Sequence, residues 1–125
     1  MSAFVCNRQH IAAIVRHYVL VQKYAKIDAV AAANELMAAN VASVNYHYRH
    51  NPAAQADAEP PFTEREIQRA PVLTGVSVLK QLQCLDYQSC EVDDWRDSNP
   101  RRLMDEIEHA TIQALPGYDE APWGI

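Results

Sequence analysis

Residues 29–48 read AVAAANELMAANVASVNYHY, with Asp28 immediately before them. Val30, Ala33, Met37, Val41, Val44 and Tyr48 recur at the three- and four-residue spacing of one helical face for about five turns. Asp28 supplies the side-chain oxygen that caps such a helix, and Asn51-Pro52 lies just past its expected end near Arg49. A helix this long sets the class of the fold. The rest of the chain is read outward from it.

Toward the N-terminus, Asn7 can cap a helix over residues 8–24, whose buried stripe is Ile11, Ile14, Val15, Tyr18 and Val19. Toward the C-terminus, NPAAQADAEPP at residues 51–61 has three prolines and no large apolar side chain. It buries too little to offset ordering entropy and reads as a mobile or extended connection. Thr63 and Glu66 have capping-box spacing for a short helix over 64–69 that stops at Pro71. Val72, Val76, Leu79 and Leu82 form the stripe of a fourth helix running into Cys84. Asn99 before Pro100 predicts the start of a fifth, with Leu103, Ile107, Ala110 and Ala114 facing inward and an end at Leu115-Pro116-Gly117.

The expected architecture is a mostly α, single-domain bundle of four or five helices spanning 1–125, with its mobile connection at 51–61. The alternative is a small α+β fold in which PFTEREI, residues 61–67, pairs as an edge strand. Composition favours the bundle. At 125 residues there is room for one core, 49% of the side chains are hydrophobic, and only three glycines are present for tight turns.

No apolar run reaches the roughly 18–20 residues that span a bilayer, and MSAFVCNRQH lacks the regions of a secretory signal, so the chain reads as cytoplasmic. Three cysteines without an export signal fit reduced thiols. Net charge is −5, divided unevenly: +2 over residues 1–85 and −7 over residues 86–125. An acidic third repels nucleic acid and attracts basic partners. Direct nucleic-acid binding and membrane binding are therefore not expected, and no cofactor motif occurs.

The most particular stretch is CLDYQSCEVDDW, residues 84–95. As a structural lock it would turn Leu85, Tyr87, Cys90 and Trp95 inward. As a site it would present Asp86, Gln88, Glu91, Asp93 and Asp94 outward, with Tyr87 and Trp95 as apolar anchors. The expectation combines the two, an aromatic frame carrying an acidic rim. NYHYRH, residues 45–50, offers Tyr46 and Arg49 as a second candidate interface. A metal alternative joins His47 and His50, at i, i+3 on one helix face, to Cys84 and Cys90. The two cysteines are six apart, about 240° on a continuous helix, so that set needs a helix break.

The blocks MSAFV, SVNYHY, CLDYQSCEVDDW and LPGYDEAPW resemble those of a family of small bacterial proteins of unassigned function, linked to plasmids, prophages and integrated islands. His47 stands where that family more usually has arginine. The resemblance implies an accessory role in the contest between mobile elements and hosts and supplies no catalytic residues. It leads to the expectation of a non-enzymatic inhibitor, of anti-CRISPR or antirestriction kind, acting on a host protein or nucleoprotein complex with a basic surface. The competing classes are a zinc-binding or cysteine-dependent enzyme and a homo-oligomeric structural protein.

Overall fold

Helix α1, Arg8–Val21, buries five residues in a row, Ile11, Ala12, Ala13, Ile14 and Val15, and then Tyr18. A helix lying on a surface buries one stripe; unbroken burial requires neighbours on every side. The computed structural model of the chain supplies them and describes residues 8–21, 28–89 and 95–115, with the side chains of 87–89 outside that description. Around α1 pack α2 (Ala29–His47), α3 (Glu64–Gln68), α4 (Gly75–Ser89) and α5 (Asn99–Ala114), all in contact with it. Among the described residues the protein is a bundle of five α-helices with no strand. PFTEREI does not pair as a strand, because Thr63 accepts a hydrogen bond from the Glu66 N–H and starts α3 there. No helix among the described residues is long and apolar enough to cross a membrane.

Asp28 caps α2 as expected, accepting from the Ala31 N–H at 3.0 Å. Ala33, Met37 and Val44 of the predicted stripe are buried, joined by Leu36 and Asn40 at 0% exposure. Three boundaries or phases differ from expectation. In α1, Val19 is 44% exposed: the face that meets the core runs through Tyr18 to Val21 and leaves Val19 outside it. In α4 the buried positions are Val78, Leu82 and Leu85, while Val72 and Val76 are 69% and 53% exposed. Thr74 accepts from the Ser77 N–H and starts the helix at Gly75, which leaves Val72 outside it and turns Val76 away from the core. In α5 the cap is Ser98, which accepts from the Arg101 N–H at 3.2 Å; Asn99 already lies inside the helix. Its buried residues are Met104, Ile107 and Thr111, and Ala114 faces solvent.

The connection at 51–61 is extended apart from one 3-10 turn at Pro52–Ala54, and it is tied to the helices by side chains. Asn45 of α2 takes the Ala56 N–H on Oδ1 at 2.7 Å and gives its own Nδ2–H to the Ala56 carbonyl at 3.1 Å. Asn34 Oδ1 accepts from the Phe62 N–H at 2.8 Å. Arg8 donates to the carbonyls of Pro60 and Pro61 at 2.6 and 3.0 Å. Irregular backbone has no ladder to join, so its polar groups are satisfied this way.

Arg8 also forms a two-point ion pair with Glu66, Nη2 to Oε1 at 2.8 Å, and lies 4.0 Å from the centre of the buried Phe62 ring. That hydrogen bond, more than any other influence, holds Glu66 below the usual carboxylate range. A carboxyl whose folded value is depressed adds stability above its unfolded value, and the gain is lost as pH falls through the folded one. Replacing Arg8 by Met should therefore cost about 1–2 kcal/mol at pH 7, allowing for partial exposure. In urea titrations, the acid-side loss of stability should be shallower in R8M than in the natural protein.

Candidate functional site

The stretch CLDYQSCEVDDW spans the end of α4, the 3-10 turn Trp95–Asp97 and the link between them. Residues 90–94 lie outside the described residues, so nothing is placed for Cys90, Glu91, Asp93 or Asp94; the Tyr87 and Gln88 side chains are outside them as well. At the described ends, Leu85 is fully buried and Trp95 is 7% exposed. A buried indole N–H requires an acceptor. Asp86, one residue after Leu85 and so on a neighbouring face, supplies it: Trp95 Nε1–H donates to Asp86 Oδ1 at 2.9 Å.

The same Asp86 oxygen lies 3.5 Å from Arg101 Nε, and Arg101 Nη1 reaches Asp105 at 3.0 Å. Ser98 completes the corner, giving its hydroxyl to the Trp95 carbonyl at 2.7 Å while capping α5. The frame Trp95, Asp86 and Arg101 thus joins the end of α4 to the start of α5. Asp86 is half-buried and committed to two donors, and Trp95 is a core residue in the folded chain.

Five of the ten acidic residues of the C-terminal third are described, and they are not one open acidic face. Asp86 and Asp105 both serve Arg101, and Glu106 accepts from the Tyr18 hydroxyl at 3.3 Å. Burial, and then Glu106, raise the Tyr18 pKa, so this phenol stays a donor. Asp97 and Glu108 remain exposed.

The Tyr46 and Arg49 pair sits at the far end of α2. Arg49 stacks 4.5 Å from the Tyr46 ring centre and donates to the Tyr46 carbonyl at 2.9 Å, closing a local turn. Tyr46 and Tyr48 are both half-buried. α2 ends at His47, and residues 48–50 form a turn. His47 and His50 therefore do not share a helix face, contrary to the spacing argument. Both are exposed, as is Cys84, and no group of three potential metal ligands occurs among the described residues.

Two surface grooves were not legible as sites. One, of about 570 Å³, runs between α2 and residues 58–61 and is lined by Met37, Val41, Asn45, Pro60 and Pro61. The other, of about 440 Å³, separates α4 from α5, with walls that include Val76, Lys80, Glu108 and Ile112 above Leu82 and Met104. A signal for the second was present: α4 carries two apolar stripes, and only one can face the core.

No family model, curated protein or solved structure matches the chain. The frame can be tested without knowing a partner. In a double-mutant cycle of D86A and W95F, the two changes should couple by about 1–2 kcal/mol, because D86A alone strands a buried N–H that W95F removes. Additive losses in chemical denaturation would contradict the hydrogen bond.

Proposed function

We propose that the protein is a non-enzymatic binding protein that occupies a basic surface on a host protein or nucleoprotein complex, as an inhibitor or accessory factor of a mobile element. The observation that carries this reading is the frame of Trp95, Asp86 and Arg101. It fixes both ends from which the acidic run Glu91, Asp93 and Asp94 departs, the last turn of α4 and the turn at Trp95. Acids held between fixed ends lose less freedom on binding than the same acids on a free tail.

Carboxylates spaced along such a run stand in for phosphates against Lys and Arg. The target is then a surface that normally holds nucleic acid, which is how an anti-CRISPR or antirestriction protein would act inside the cell. Rim charges of this kind set the rate of encounter more than the lifetime of the complex. In this reading Trp95 anchors the chain immediately after the run, and Tyr46 with Arg49 forms a secondary contact.

The test is capture from bacterial lysate by the tagged full chain, followed by association kinetics with the captured complex. The expected target is a basic nucleic-acid-binding complex. Changing Asp93 and Asp94 together to Asn should slow association severalfold at low salt and flatten its salt dependence, leaving dissociation nearly unchanged. Unchanged association at low salt would show that the acidic run does not bind.

A further inference from the structure

We infer that the groove between α4 and α5 is the contact surface for a second copy of this chain, forming a four-helix arrangement around a two-fold axis that runs along the groove. The argument starts from the register of the two helices. They are antiparallel: a side chain at Gly75 would meet Thr111 and Leu115, and Asp86 reaches Arg101 at the other end. Between those fixed points Val76 lies level with Ile112, and Lys80 lies level with Glu108. All four line the groove.

A two-fold axis along the groove places α4 of one copy over α5 of the other and preserves these levels. Lys80 then faces Glu108 of the second copy, and Glu108 faces its Lys80, so one surface is complementary to itself in charge. Val76 faces Ile112 of the second copy in the same way. Lys80 and Glu108 are exposed, and neither forms an ion pair with a described residue in the single chain.

The apolar pattern agrees. Val76 is 53% exposed, and Leu79 and Ile112 are half-buried beside it. These are the positions that close the shared core when two antiparallel helix pairs pack at the small angles of a four-helix bundle. The dimer is read out at Val76, Lys80 and Glu108 and partner capture at Asp93 and Asp94, so the two tests can succeed or fail independently.

Sedimentation velocity of the full chain over a wide concentration range tests the inference. A reversible monomer–dimer equilibrium is expected. V76D should shift it at least tenfold toward monomer, with helical content preserved because residue 76 is exposed. K80E and E108K should each weaken the dimer, and the double variant K80E/E108K should restore it. A monomer at all concentrations, including one whose Val76 face instead captures a different protein, would overturn the proposal. So would a dimer indifferent to V76D, or one that the double charge swap fails to restore.

Discussion

The constraint on which the bundle depends is the enclosure of α1. Residues 11–15 can be buried without interruption only if helices lie on all sides, and each of the other four helices touches α1. Alanines 12 and 13 make this enclosure close, as do the buried Ala32 and Ala33 of α2, since side chains this small let helix backbones approach. Around a central helix the outer helices each have one inner and one outer face. The consequence for function is that outer faces carry whatever apolar surface the core does not use.

Polar groups fix how the outer pieces are held. Asn34 and Asn45 extend from α2 to backbone groups of the connection, and Arg8 extends from α1 to Pro60, Pro61 and Glu66. Asp86 does the same work at the opposite corner through Trp95 and Arg101. Apart from the helical partners Glu66 and Arg101, a side chain from a regular element satisfies groups outside the α-helices. Such bonds gain only about 1 kcal/mol each, but leaving the groups unmade in a buried corner costs more. They therefore specify path more than they add stability.

Helix identity was readable because capping residues and apolar periodicity agreed at Asp28 and Thr63. Phase was less readable where two stripes compete. In α4, Val76 and Leu79 share a face with Lys80 and Gln83, while Val78, Leu82 and Leu85 make the core; the sequence reading followed the outer stripe through Val76 and Leu79 and met the core only at Leu82. In α5 a polar Thr111 is buried because its hydroxyl donates to the Ile107 carbonyl at 2.6 Å, so hydrophobicity alone could not mark it. Of the candidate site, the inward roles of Leu85 and Trp95 were legible from their chemistry. The Asp86 partners were not, because a carboxylate's choice between solvent and a long-range donor is decided by tertiary packing. His47 and His50 do not share a helix face for a local reason, α2 ending at His47, two residues before the expected Arg49.

The enclosure of α1 and the outward disposition of the second α4 stripe are one claim, since a helix that covers α1 with Val78, Leu82 and Leu85 must turn Val76 outward. Native-state hydrogen exchange on the full chain tests it most directly. Amides of residues 11–18 should exchange only through global unfolding, the slowest in the protein, while those of the five-residue α3 exchange through local opening. Exchange at residues 11–18 as fast as in α3, with the slowest amides elsewhere, would contradict a bundle organised around α1.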